Sequence, residues 1–116
     1  MMKHTILILF LFLSLLCHGQ SYKFFTTDRE LSSSLINKIY QDRNGMIWIA
    51  TEDGLNRYDG AKFITYKHDP ENEYSLCHNY VRVLYEDSKG RLFVGTYNGI
   101  QLYDPETDSF SARAQW

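Results

Sequence analysis

From Ile36 onward the apolar residues come in short runs of four to six, rich in Ile, Val, Tyr and Trp and separated by Asn-Gly, Asp-Gly and Lys-Gly pairs. Runs of this length bounded by turn dipeptides are strands, whereas an amphipathic helix would repeat its apolar positions about every 3.6 residues. The pattern predicts strands at Ile36–Gln41, Met46–Thr51, Leu55–Tyr58 and Lys62–Lys67, joined by turns at Asp42–Gly45, Glu52–Gly54 and Asp59–Ala61. It then predicts Val81–Glu86, Arg91–Thr96, Ile100–Tyr103 and a strand near Phe110–Arg113, with a last hairpin, Asp104–Ser109, two residues longer than its counterpart.

The two sets of four are copies of one unit. Leu31 to Asp59 recurs 45 residues later as Leu76 to Asp104 without a gap, with Tyr40/Tyr85, Asp42/Asp87, Gly45/Gly90, Thr51/Thr96, Gly54/Gly99 and Tyr58/Tyr103 identical. Ile39/Leu84, Ile49/Val94 and Trp48/Phe93 keep their chemistry. A β-rich repeat of this length is the signature of a propeller blade, one four-stranded antiparallel sheet per repeat. The fold class is therefore all-β: two propeller blades, residues 31–75 and 76–116, with Lys23–Thr26 as a stray outer strand, because Lys23-Phe24-Phe25-Thr26 resembles Lys62-Phe63-Ile64-Thr65. Residues 20–30 then belong to a neighbouring or closing blade. Rings need about four to eight blades, so two describe an incomplete propeller, to be completed by further blades or a second copy of the chain.

Each repeated residue has a structural task. Asp42 and Asp87 are placed to accept backbone N–H bonds in turns that Gly45 and Gly90 close at positive φ, and Gly54 and Gly99 do the same after the second strand. Trp48, Phe93, Tyr58 and Tyr103 are the bulky side chains expected between adjacent blades, since a blade buries its faces only against its neighbours.

The N-terminus has a different pattern. Lys3 and His4 precede an apolar run from Ile6 to Leu16, followed by small and polar residues. This is the layout of a secretory signal peptide over residues 1–19, cleaved between Gly19 and Gln20. The run falls short of the roughly 20 apolar residues that span a bilayer. Cys17 opens a second possibility, a lipidated N-terminus, against which stands Leu16 at a position where lipoprotein signals carry a small residue. After cleavage Cys77 is the one remaining cysteine, so packing and not a disulfide must hold the domain.

Composition narrows the chemistry. The formal net charge of −2 and the absence of a basic stripe argue against nucleic acid as a partner. The Asp42, Gly45, Trp48 run is spaced one residue too wide for the Asp-box of sialidases. Asp69, Glu71 and Glu73 lack the glycine and closing glutamate of a calcium loop, and His68, His78 and Cys77 lack zinc-site spacing. No metal, cofactor or catalytic set is expected. Tyr74, Tyr80 and Tyr97 are aromatics that could stack on sugar rings or serve as ordinary packing residues.

The full run, L-x-x-x-x-I/V-x-x-I/L-Y-x-D-x-x-G-x-I/L-W/F-I/V-A/G-T-x-x-G-L/I-x-x-Y-D, resembles the two-component regulator propeller repeat. With a K-F-F-T strand and an LSSS segment behind a signal peptide, the chain is similar to the start of hybrid two-component sensor histidine kinases from glycan-degrading Gram-negative bacteria. The resemblance implies a periplasmic region of two propellers and a β-sandwich, then a transmembrane helix, kinase, receiver and helix-turn-helix output. It implies an oligosaccharide ligand and signalling through a kinase outside this sequence, with no enzyme activity in these blades. An exported propeller enzyme acting on polysaccharide, with carboxylates such as Glu71 or Glu73, and a small self-associating binding subunit are the competing expectations.

Overall fold

The computed structural model describes residues 31–112. The signal-peptide residues, the Gly19–Gln20 cleavage site and the stray strand at Lys23–Thr26 lie outside them. Among the described residues every regular element is a strand: β1 (Ile36–Gln41), β2 (Ile47–Thr51), β3 (Gly54–Tyr58), β4 (Phe63–Tyr66), β5 (Val81–Glu86), β6 (Leu92–Thr96), β7 (Gly99–Asp104) and β8 (Ser109–Phe110). They form two sheets in simple up-and-down order, β1-β2-β3-β4 and β5-β6-β7-β8, with antiparallel neighbours throughout. Each sheet is one repeat, the organisation expected of propeller blades. Of the outer strand expected near Phe110–Arg113, the described part is β8 at Ser109–Phe110, with Ser111 N still bonding to Leu102 O at 2.8 Å, and Arg113 lies outside the described residues.

The turns form as their residues require. Asp42 Oδ1 accepts from Asn44 N (2.9 Å) and Met46 N (3.0 Å), and Gly45 closes the turn at φ +87°. Asp87 does the same with Lys89 N and Arg91 N, and Gly90 sits at φ +81°. The second oxygen differs between copies. Trp48 Nε1 donates to Asp42 Oδ2 at 2.9 Å, and since Phe93 has no N–H, Arg91 Nε takes that place on Asp87 Oδ2 at 2.6 Å. These donors, led by the Arg91 backbone N–H, hold the Asp87 carboxyl below the usual carboxylate range.

Strand register assigns each side chain to a face. Cross-strand partners Trp48/Arg57 and Ala50/Leu55/Tyr66 share one face of the first blade. Leu84/Val94/Gln101 and Tyr103/Phe110 share one face of the second. These two faces meet, and their buried side chains make one continuous core with Leu76, Val81 and Leu92. The seam between blades is thus the hydrophobic core of the pair.

Of the four aromatics expected between blades, two are there. Trp48 is 1% exposed and Tyr103 7%. Phe93 and Tyr58 are half-buried on the outward faces, Phe93 beneath the Arg91 guanidinium and Tyr58 stacked on Phe63 at 4.6 Å. The asymmetry follows from the pairing: each blade offers one face to its partner here, and these two rings lie on the others.

Candidate functional site

Antiparallel register also sorts the connections between two ends. Ile36, Thr51, Gly54 and Tyr66 lie at one end of the first blade, since Ile36 pairs with Thr51, Thr51 with Gly54, and Leu55 with Tyr66. That end carries the Glu52–Asp53 turn and the long connection from Lys67 to Tyr80. In the second blade it carries the Tyr97–Asn98 turn. The opposite end holds the Asp42 and Asp87 turns and the outer hairpins.

A polar network repeats at the first end and fixes these connections. In the first blade Ser32 Oγ meets Thr51 Oγ1 (3.2 Å) and accepts from Asn56 Nδ2 (2.8 Å). In the second, Cys77 Sγ meets Thr96 Oγ1 (3.2 Å), Cys77 N donates to Gln101 Oε1 (2.8 Å), and Gln101 Nε2 donates to Ser75 O and Ser111 O, both at 2.9 Å. Thr51, Asn56, Thr96 and Gln101 are all buried, and no buried side-chain polar atom among the described residues lacks a partner. Thr51 and Thr96 are legible as repeat residues. Asn56 and Gln101 are not identical and pass as ordinary strand positions, although two amides in register 45 residues apart were a usable signal.

Above this scaffold Tyr80 and Tyr97 stack nearly parallel, ring centroids 4.0 Å apart with 7° between planes. Tyr80 Oη donates to Glu52 Oε1 of the first blade at 2.9 Å. Tyr97 Oη and then Glu52 push the Tyr80 phenol up to about 12, so it stays a donor at neutral pH. His78 accepts from Tyr80 N at Nδ1 (2.9 Å) and lies 6.0 Å from the Tyr97 ring, and the Arg82 guanidinium sits 5.2 Å from that ring's centroid. Tyr97 nevertheless remains 55% exposed. Tyr74 lies apart, at the outer edge, where its carbonyl accepts from Phe110 N (2.9 Å). Of the three sugar-stacking candidates, the fold brings two together and leaves the third elsewhere.

The long connection also borders a hollow of about 290 Å³ lined by His68, Asp69, Glu73, Cys77 and Asn98 among others. Several of its polar groups are engaged by the surrounding chain: His68 Nδ1 with Leu76 O (2.8 Å), Asp69 Oδ1 with Glu71 N (3.0 Å), and Cys77 Sγ with Thr96 Oγ1 of β6 (3.2 Å). Among the described residues no three His, Cys, Asp or Glu side chains are grouped to hold a metal ion.

Comparison with known proteins bears on both blades. Residues 30–53 and 75–98 each match the family described as two component regulator propeller. Histidine kinase P4 of Formosa agariphila is 41% identical over 73 residues, which cover 60% of this chain and 5% of that protein. The extracellular domain of a one-component system from B. thetaiotaomicron superposes with a TM-score of 0.63 at 25% identity, over 79% of this chain and 13% of that one. The extracellular domain of a hybrid two-component system from the same organism is 24% identical, with a TM-score of 0.40 over 77% of this chain and 19% of that one. The chain thus spans a small part of the length of the relatives it matches.

Proposed function

We propose, from the premise that residues 30–53 and 75–98 are two-component regulator propeller repeats, that these blades are part of an exported sensory propeller that binds an oligosaccharide. Binding is passed to a histidine kinase elsewhere in the same regulatory protein, and the blades themselves perform no catalysis. The observation that carries this reading is the coincidence of repeat and blade. Each matched stretch supplies the first two strands of one sheet, the two sheets mate face to face, and the connections at one end carry the Tyr80/Tyr97 pair. Export is supported by the extracellular placement named for the one-component relative that superposes with a TM-score of 0.63.

The test is kinase output. The intact regulator carrying these blades, reconstituted in vesicles, is to be assayed for autophosphorylation against a panel of neutral and acidic oligosaccharides. At least one sugar is expected to change the rate saturably. A rate indifferent to every sugar, together with a response to a non-carbohydrate ligand, would refute the reading.

A further inference from the structure

The cluster around Tyr97 has a chemical character of its own. Arg82 stands at a β-bulge, where the β5/β6 register slips between Val81 and Val83, and such a bulge re-aims a side chain. Its counterpart in the first blade, Asn37, sits at the matching slip and is used up in an inter-blade bond, Nδ2 to Val81 O at 2.7 Å. Arg82 is exposed, lies over Tyr97, and forms no ion pair with a carboxylate among the described residues.

His78 adds a donor. Because Nδ1 accepts from Tyr80 N, the neutral ring carries its proton on Nε2, and that N–H has no partner among the described residues. The carboxylate in contact with the cluster, Glu52, is engaged by Tyr80 Oη, and nearby Asp53 is paired with Lys67 at 2.9 Å. An exposed aromatic ring is therefore flanked by a guanidinium and an imidazole N–H, neither paired with a carboxylate among the described residues. A guanidinium fits planar oxyanions, and an aromatic face suits the C–H side of a sugar ring.

We propose that Tyr97, Arg82 and His78 form a subsite for an acidic sugar, a pyranose unit bearing a carboxylate or a sulfate ester. The sugar ring lies against the exposed part of Tyr97, and its anionic group is held by Arg82 with His78 Nε2–H as second donor. This rests on the oligosaccharide reading above and names the ligand class for it.

The test is calorimetric titration of the whole extracellular region that contains these blades, with three probes: trigalacturonate, a sulfated unsaturated disaccharide of the chondroitin type, and neutral cellotriose. At least one acidic probe should bind, more weakly as salt rises, and cellotriose should not. Arg82→Gln should weaken that binding roughly tenfold or more, as expected for loss of a charge-assisted contact, and Tyr97→Ala should weaken it comparably. Arg82 is exposed, so Arg82→Gln keeps the fold, which circular dichroism checks. Binding of cellotriose that ignores Arg82→Gln would overturn the acidic subsite while leaving an oligosaccharide sensor intact. Sugar binding indifferent to both substitutions would overturn the location alone, and binding of none of the probes beside a confirmed non-carbohydrate ligand would overturn the sensor reading with it.

Discussion

The Trp48 indole of the first blade meets the Tyr103 ring of the second edge-to-face, with centroids 4.7 Å apart and 68° between planes. The relationship joins opposite faces of successive repeats, since Trp48 aligns with the outward-facing Phe93 and Tyr103 with the outward-facing Tyr58. Tyr66 and Phe110 complete the aromatic cluster, and Arg57 lies 5.8 Å from the indole. Arg57 Nη1 also donates to Tyr103 Oη at 2.6 Å. Edge-to-face pairs contribute about 0.5–1.5 kcal/mol beyond their buried area, so this joint is where the two sheets become one body.

Trp48→Ala should therefore destabilise the propeller by about 3–5 kcal/mol, the usual range for removing a buried indole. Trp48→Phe should cost only about 1–2 kcal/mol, since it keeps most of the volume and loses the bond from Nε1 to Asp42. The second repeat already uses phenylalanine at this position. Urea unfolding followed by near-ultraviolet circular dichroism checks the order.

Asp108 makes the joint sensitive to acid. Its Oδ1 accepts from Tyr66 Oη at 2.5 Å and Tyr103 Oη at 2.7 Å, and Arg57 Nη1 lies 3.6 Å away. Burial raises its pKa, and the two hydroxyls and the guanidinium outweigh that and hold the carboxyl below its ordinary value. A depressed carboxylate stabilises the fold fully above its unfolded pKa of about 3.9 and loses that contribution as pH falls through the folded value. Thermal midpoints should hence fall below about pH 4, and Asp108→Asn should flatten that fall. An unchanged acid limb in the variant would contradict the assignment.

Glycine replacements should separate backbone strain from crowding. Gly45 (φ +87°) has open space where a Cβ would stand, whereas at Gly54 (φ +123°) a Cβ would lie 3.0 Å from Tyr66 O. Gly45→Ala is expected to cost about 1–2 kcal/mol for the left-handed backbone. Gly54→Ala should cost more, because a backbone carbonyl must move as well. Equal losses in denaturant midpoints would count against the geometry of the Glu52–Asp53 turn.

Gln101 fastens the inter-blade connection to the sheet. Gln101→Ala strips the partners from Cys77 N, Ser75 O and Ser111 O together. Each group left unpaired costs roughly 1–3 kcal/mol. Hydrogen exchange at the Cys77 amide should accelerate far more than at Val94, which lies inside the β5–β6 ladder.

Much of this was legible in the chain itself. The runs at Ile36–Gln41 and Val81–Glu86 are strands with those limits, and Asp42, Gly45, Asp87 and Gly90 make the turns their chemistry requires. These are local matters, set by alternation and turn residues within a few positions. What the chain did not disclose depends on which face meets which. Nothing local says that Trp48 and Tyr103 are buried while their counterparts Phe93 and Tyr58 face outward, because burial here is conferred by the neighbouring blade. Tyr80 and Tyr97, likewise, are joined by two different connections, and their stacking exists only once the sheets are placed.

The central claim is that the two repeats are adjacent blades mated through Trp48 and Tyr103, and a double-mutant cycle tests it most directly. Unfolding free energies are to be measured for the propeller region and for Trp48→Ala, Tyr103→Ala and the double variant. Mated faces predict a coupling energy of about 0.5–3 kcal/mol, as found for residues in contact. Additivity to within about 0.3–0.5 kcal/mol would show two residues that do not meet, and would contradict the account.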